Sequence, residues 1–430
     1  MMNQDILDLE YKTLHVVMKM ELDGVKIDVK KCKETLKQLK KFNEKLIRQI
    51  QAFTEDEINL ESPPQLNKLL FETLQLQPEI DKVGKNGCYS TDKSHLKKLI
   101  DKHEIVPLLL DYRKTISLIN FCKQLQNVNP ITKRLHGQFN QSGTATGRFS
   151  CSKPNLQNIP NVKLNDGEIN ELIILESRFR EMFIPKKGCQ FICADYSQIE
   201  IRVVTDMSQD EYLLKAYTTK DTNGKNLDVH RLTASEVFNI KYSEVTDEQR
   251  SIAKSINFGL IYGKTAFGLS ATLTEITGKH HSKEQAEVIM SKYFQRFSGV
   301  KTCLDSLIDF ADTNGYSETI YGRRRPIPQL SSSKLSERNA GKRLAMNSPI
   351  QGTAADIIKM AMVACDEQIK TKNLKSKLVL QVHDELLFEV PDDEMEVMET
   401  LVKNTMENVV RLSIPLEVGL DKGHNWAMAH

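Results

Sequence analysis

Three carboxylates and one helix face are the parts of this 430-residue chain best equipped for chemistry. Asp195 follows the apolar run "FICA", so its side chain should emerge where a strand ends. Asp384 and Glu385 lie between "LVLQV" and "LLFEV", at the tip of a hairpin of two hydrophobic strands. Adjacent carboxylates between buried runs are costly unless something compensates their charge. A metal ion would do so, and Mg²⁺ is typically held by one or two protein carboxylates plus substrate phosphates. If Asp195 and Asp384 converge, they could bridge two divalent cations about 4 Å apart, the arrangement used for in-line phosphoryl displacement. One ion would activate an attacking hydroxyl and the other would neutralise leaving phosphates. A hairpin with a polar tip and an unrelated strand-end Asp is the plainer alternative, and spacing alone leaves both open. His383 fits an orienting neighbour better than a ligand.

The helix face is in "RSIAKSINFGLIYGK", where Arg250, Lys254, Phe258 and Tyr262 recur every fourth position and stay within one broad arc. Two cations followed by two aromatics is a poor core stripe. It suits a nucleotide read end to end. Arg250 through its fork and Lys254 as a point charge can hold a triphosphate, while Phe258 and Tyr262 offer surfaces to sugar and base. Gly259 and Gly263 cost helix stability yet allow close approach.

These groups need elements to hold them. "CQFICADYS" predicts a buried strand ending in an acid, and "KLVLQVHDELLFEVP" predicts two strands around a tight turn. A helix opened by "PDDEMEV" follows, and then the segment "IPLEVGL". Helical patterns run from Asp5 to about Phe53, broken at "DGVKID", where Gly24 permits a turn and Asp28 can cap the Lys-rich helix that follows. Ser62 and the prolines after it open a short helix. "KVGKNGCYSTDKS" is a loop, and helices resume to about Leu125. "GQFNQSGTATGRFSCSKPNLQNIP" reads as extended segments and turns. Helices dominate again from about Asp210 to Asn314, with Asp228 and His230 near one helix start, and another runs through "GTAADIIKMAMVACDEQI".

Composition is that of an ordinary globular protein, 40% hydrophobic and 27% charged with a net charge of +2. No apolar run has the length of a membrane span, and the start lacks the order of a signal peptide. Eight scattered cysteines form no zinc pattern and suggest free thiols in a reducing compartment. The charge distribution says more than its sum. From 112 to 165 there is no acid in 54 residues but eight Lys and Arg, and acid-free stretches recur from Arg250 to Thr274 and from Thr319 to Ser336. One such run is a solvated face; three favour a track for a polyanion.

The blocks "DYSQIEIR", "RSIAKSINFGLIYG" and "QVHDE" resemble, in order and spacing, motifs A, B and C of family A DNA polymerases. "TATGRFSCSKPNLQNIP", "YGRRRPIPQL" and "NSPIQGTAADIIK" resemble three further blocks, and the likeness runs from about residue 10 to the end. It implies a mixed α/β (α+β) fold, a right hand of thumb, palm with an antiparallel sheet, and fingers. Residues 1–125 would be thumb and palm-entry helices, 126–209 the first part of the palm, 210–340 the fingers, and 341–430 the rest of the palm. Asp195 and Asp384 would bind two Mg²⁺, with Mn²⁺ able to substitute, and Glu385 would assist. Arg250, Lys254 and His230 would contact the triphosphate, with Lys254 also acting catalytically. Phe258 would stack near the sugar, Tyr262 would lie beside the templating base, and Gln198 would join the nucleotide contacts. Glu200 would exclude a ribose 2′-OH. Arg148, Arg343, Asn347 and Gln351 would probe the minor groove, and Asn155, Gln157, His383, Arg323 and Arg324 would join them on the DNA.

The partners so implied are primer-template DNA and dNTPs, with no membrane, for a monomer acting in the cytoplasm or wherever its genome resides. Departures from the family pattern also bear on function. No acidic metal cluster precedes the thumb segment, so proofreading is expected to be absent or supplied by a separate exonuclease, accessory factor or removed segment. "KTISLINFC" lacks two lysines often found in the equivalent stretch, which bears on the grip on duplex. Rival readings are a related single-chain RNA polymerase, opposed by Glu200 and Phe258, and a catalytically silent DNA-binding module, opposed by the intact Asp195 and Asp384. A two-metal nuclease is opposed by the triphosphate-reading helix.

Overall fold

The fold was obtained as a computed structural model and describes residues 3–78, 87–162, 169–220 and 226–430. It is mixed α and β, with helix predominating. The chain forms two compact units. One gathers Met1–Asp23, Gln138–Ser152 and Ile192–Lys422; the other gathers Gly24–Gly137, Lys153–Phe191 and Gly423–His430.

A four-stranded sheet, most of whose residues belong to the first unit, has the order Val418–Gly423, Cys189–Tyr196, Glu385–Pro391, Lys377–Val382. The last two strands form an antiparallel hairpin in which Val382 pairs with Glu385 and Leu378 with Phe388. Phe191, Ile192, Cys193 and Ala194 are all buried, as are Leu386, Leu387, Phe388 and Val390, so these strands are apolar on both faces. The final strand starts at Val418, after Pro415, which cannot join a ladder through a backbone N–H.

A 37-residue helix, Leu335–Thr371, packs against helices Gln4–Asp23, Ser298–Asn314 and Met395–Asn408. It begins well before "GTAADIIK" and runs through Pro349, which removes one backbone hydrogen bond without ending it. Its buried residues, from Ala345 through Ile357, Ile358 and Met362 to Ile369, anchor it along most of its length. Apolar burial of this extent outweighs the local cost of the proline.

The second unit centres on helices Val29–Gln51 and Ile105–Leu125, which bury Cys32, Leu39, Leu46 and Ile50 against one another's apolar faces. Asp28 caps the first as expected, accepting a hydrogen bond from the Lys31 N–H, and Gly24 turns the chain at φ +59°. Lys30, Lys33, Lys37, Lys40, Lys41 and Lys45 all face solvent on its outer side. Ser62 occupies the cap position before Pro63–Asn67, but its side chain makes no capping bond; the two prolines set that helix start through their fixed φ. Trp426 is fully buried, edge-on to Phe183 and beneath the Arg180 guanidinium at 4.3 Å. Part of the loop expected at "KVGKNGCYSTDKS" (residues 82–86) lies outside the described residues.

Candidate active site

The turn between the hairpin strands has two residues, His383 and Asp384. His383 takes a left-handed conformation (φ +55°), which lets so short a connection close. The backbone N–H of Tyr196 donates to the Asp384 carbonyl at 3.2 Å. That bond joins the end of the Asp195 strand to the turn carrying Asp384, so the sheet brings together two carboxylates 189 positions apart in sequence. Glu385 is not at the tip as expected. It opens the ladder opposite Val382 and is 4% exposed, because the tight turn leaves room for only two residues. His383 is exposed and Asp384 half-buried.

Glu200 lies on helix Ile199–Ser208, one turn beyond Asp195, and makes an ion pair with Arg148. Burial raises the Glu200 pKa, Arg148 counteracts this, and Asp384 adds to the rise. Asp384 is raised as well, again chiefly by burial; backbone hydrogen bonding, His383 and Arg148 oppose the shift and Glu385 adds to it. Two neighbouring acids held above their ordinary range mark a site with less positive charge than its carboxylates would use. Hard oxygen donors in that condition suit a divalent cation. Asp195 and Glu385, on the strands beside Asp384, bring further hard oxygen donors of that kind.

Arg202, a residue that motif reading passed over, holds the turn after Asp195. It is 2% exposed and donates to the Ser197 carbonyl at 2.8 Å, the Pro415 carbonyl at 2.5 Å and Glu417 Oε2 at 2.7 Å. Its guanidinium also covers the Tyr217 ring, and the Tyr217 hydroxyl donates to Gln198 Oε1 at 3.0 Å. Gln198 is thereby fixed in a left-handed conformation at the helix start. An Arg two residues beyond Glu200 in "DYSQIEIR" was the available signal.

The cation and aromatic stripe forms as read, with one adjustment at its end. Helix Asp247–Ile261 starts with a capping box between Thr246 and Gln249, and Tyr262 is its C-terminal cap. Ile252, Ala253, Ile256 and Leu260 are buried, while Lys254 is exposed and Arg250, Phe258 and Tyr262 are half-exposed. Lys254, Phe258, Gly259 and Tyr262 line a recess of about 370 Å³ closed by Lys264 and Thr272. The Phe258 and Tyr262 rings lie stacked with centroids 6.2 Å apart. Arg250 donates from Nε and Nη2 to Asp228 Oδ2 at 2.8 and 2.7 Å. Asp228 also caps helix Val229–Phe238. Burial works to raise its pKa, but the bonds from Arg250 and from the Arg231 N–H outweigh that and hold it low.

His230 was expected at the triphosphate. It is 2% exposed, its Nδ1 accepts from the Asn257 amide at 3.0 Å, and its ring backs Phe258 at 5.8 Å. Burial, with help from Arg250 and Lys254 against the pull of Asp228, lowers its pKa to about 4, so it is neutral.

Arg343, Asn347 and Gln351 follow one another at four-residue intervals along the long helix, exposed or half-exposed in turn. Asn347 donates weakly to the Tyr262 carbonyl at 3.4 Å, and its own Oδ1 has no partner. Gly263 (φ +70°) lies so close to Met346 and Arg343 that a side chain there would collide with Met346. The stripe thus ends against the long helix.

Arg323 departs from its expected place on DNA. It is 6% exposed, with Nε on Asp356 Oδ1 at 2.7 Å and another nitrogen on Glu10, so its guanidinium is committed inside the unit. Arg324 is exposed, bonded to Glu318 at 2.8 Å over the Tyr316 ring. Asn155 and Gln157 belong to the second unit, where Asn155 accepts from the Gln157 N–H and starts the turn Leu156–Asn158. A larger recess, about 680 Å³, runs along helix Ser298–Asn314 and is lined mainly by small and apolar residues. Cavity size therefore does not pick out the chemistry.

A family model described as DNA polymerase family A matches residues 29–428. Among curated proteins the chain is 44% identical over 421 residues to DNA polymerase I of Caldicellulosiruptor bescii, covering 97% of this chain and 47% of that protein. It is 40% identical over 426 residues to DNA polymerase I of Bacillus subtilis, covering 97% and 45% respectively. The chain thus spans about half the length of these curated relatives. Among solved structures it is similar to the POL domain of Pol1 from M. smegmatis in complex with DNA primer-template and dNTP. The TM-score is 0.87 and the identity 37%, over 98% of this chain and 70% of that one.

Proposed function

The chain belongs to DNA polymerase family A, and from that premise we propose that it extends a primer 3′-OH with dNTPs under the direction of a DNA template. The observation that carries the reading is the backbone bond that places Asp384 beside the Asp195 strand, in the same unit as the open Arg250–Lys254–Phe258–Tyr262 stripe. The similar M. smegmatis domain was captured with primer-template and dNTP, which supports both partners.

In this reading Asp195 and Asp384, with Glu385 beside them, would hold two divalent cations, Mg²⁺ with Mn²⁺ able to substitute. Divalent metal use is general in the family. When bound, such ions supply the positive charge that acidifies the primer hydroxyl and offsets the phosphates. Arg250 and Lys254 hold the triphosphate. Phe258 backs the sugar, stiffened by the neutral His230 behind it, and Tyr262 meets the base. Glu200, tethered by Arg148, occupies the space a 2′-OH would need. The oxygen–phosphorus bond forms at the α-phosphate, the α–β bridge breaks, the hydroxyl proton passes to solvent and pyrophosphate departs. Arg343, Asn347 and Gln351 offer donors to minor-groove acceptors, which test pairing without reading sequence. We assign fingers to 210–340, palm to 126–209 and 341–430, and thumb with palm-entry helices to 1–125.

The test is primer extension by the purified chain with Mg²⁺ and either dNTPs or ribonucleotides, including a mismatched 3′ end without nucleotides. Extension by dNTPs alone, with the mismatch retained, is expected. Extension by ribonucleotides would favour the RNA polymerase reading, and bound duplex without extension would favour a silent binding module.

A further inference from the structure

Four charged side chains of the first unit, with Arg323, Asp356 and Lys359 buried and Glu10 partly so, take no part in the chemistry above. Lys359 is fully buried, with Nζ 2.5 Å from Glu10 Oε1 and 2.9 Å from the Gln141 carbonyl, and it lies over the Phe149 ring at 5.3 Å. Asp356 is also fully buried and accepts from Arg323 at 2.7 Å and from Thr319 Oγ1 at 2.9 Å. Arg323 reaches Glu10 with its other arm. Two cations and two anions close on themselves, drawn from helix Gln4–Asp23, the turn before Arg324 and the long helix.

Four desolvated charges are an expensive way to gain stability, since apolar residues of similar volume do as well or better. What they do supply is fixed geometry. Apart from the Thr319 hydroxyl on Asp356, several of their outward contacts fall on residues 141–149. Lys359 takes the Gln141 carbonyl, and the Gln141 amide donates to the Glu10 carbonyl and carboxylate at 2.7 and 2.8 Å. Gly147 (φ +80°) rests on Arg323 so closely that a Cβ would lie 2.6 Å from its Nε. Phe149 sits under Lys359. Between the last two is Arg148, whose guanidinium pairs with Glu200.

We propose that the Glu10–Arg323–Asp356–Lys359 cluster is a positioning device for Arg148. It clamps the 141–149 segment so that Arg148 meets Glu200, and through that pair it sets how strictly the site discriminates the sugar of the incoming nucleotide. The selectivity half of this inference rests on the function proposed above; the clamping half does not.

The experiment uses the whole chain carrying Lys359→Met, which removes one charge at nearly constant length. Single-nucleotide incorporation should show dNTP-over-ribonucleotide selectivity reduced about tenfold. In an Arg148→Ala background the same substitution should change selectivity by less than about twofold, because the route through Arg148 is already cut. Wild-type selectivity in Lys359→Met, or a full additional loss in the double variant, would overturn the proposal. Gly147→Ala sets a methyl against Arg323 while keeping all four charges, and should lose selectivity likewise; it decides the question if Lys359→Met does not fold. Amide hydrogen exchange across 141–149 should quicken in either variant, and unchanged exchange would overturn the clamp. That readout needs no turnover, so a wild-type chain that extends no primer would count against the function while the exchange result still decides the clamp.

Discussion

The carboxylate turn and the buried quartet make an instructive pair within one unit. At the turn, Asp195, Glu200, Asp384 and Glu385 lie on neighbouring elements, Arg148 pairs with Glu200, and burial raises both Glu200 and Asp384. In the quartet, two acids meet two bases and every charge has a protein partner. In one cluster Asp384 makes no ion pair among the described residues and is half-exposed; in the other all four charges are paired and three of them are buried. Uncompensated charge near a surface marks where a ligand is wanted, whereas compensated charge in the interior marks where geometry is wanted.

The same substitution applied to both clusters should therefore separate them. Asp384→Asn should lower primer extension by at least about 1,000-fold, since it removes a carboxylate that would hold the ions. Its thermal midpoint should hold or rise, because Asp384, unlike Asp356, has no ion-pair partner among the described residues to be left uncompensated. Retained extension would remove Asp384 from the metal set. Asp356→Asn should do the reverse, costing about 3 kcal/mol in denaturant unfolding by leaving Arg323 and Lys359 with an uncompensated charge. An unchanged unfolding midpoint would mean the quartet is not the closed network it is taken for.

Smaller effects sharpen the contrast. Glu200→Ala should raise ribonucleotide incorporation on the order of 10- to 100-fold relative to dNTP, with modest change in dNTP turnover, read by single-nucleotide kinetics. Equal discrimination would end the sugar-gate assignment. His230 supplies the mildest test. Its folded pKa of about 4 lies below the ordinary 6.5. Between those values the unfolded chain takes up a proton that the folded chain refuses. Its contribution is thus full above pH 6.5 and is lost as pH falls toward 4, amounting to at most about 3 kcal/mol. His230→Gln should flatten unfolding free energy against pH across that window; an unaltered slope would show the imidazole is not held neutral.

The turn was legible in the sequence because its signals are local. An apolar run ending in Asp195, and two apolar runs separated by His383 and Asp384, state their own geometry. Asp28 and Asp228 likewise announce the helices they cap. Arg250, Lys254 and Phe258 were readable from their period alone. The quartet was not legible, since Glu10 lies 313 positions from Arg323 and 349 from Lys359. The family resemblance put both Arg323 and Arg324 on DNA; only the fold shows that the first is buried and the second exposed. A lone lysine within the apolar "AADIIKMAMV" was the one local hint. Glu385 was misplaced at the tip for a simpler reason: spacing gives a turn's neighbourhood but not its length.

The Arg250–Asp228 pair carries a last consequence. The arginine that would grip an incoming phosphate already has an anion in its grasp, and that anion is the cap of the neighbouring helix. Nucleotide capture at this position is then an exchange of one partner for another, so its affinity reports a difference between two similar attractions. Weakening the resident partner, as in Asp228→Asn, would free the arginine and at the same time loosen the start of the helix that carries His230. Tighter capture and a firmer wall behind Phe258 cannot both be had from that residue.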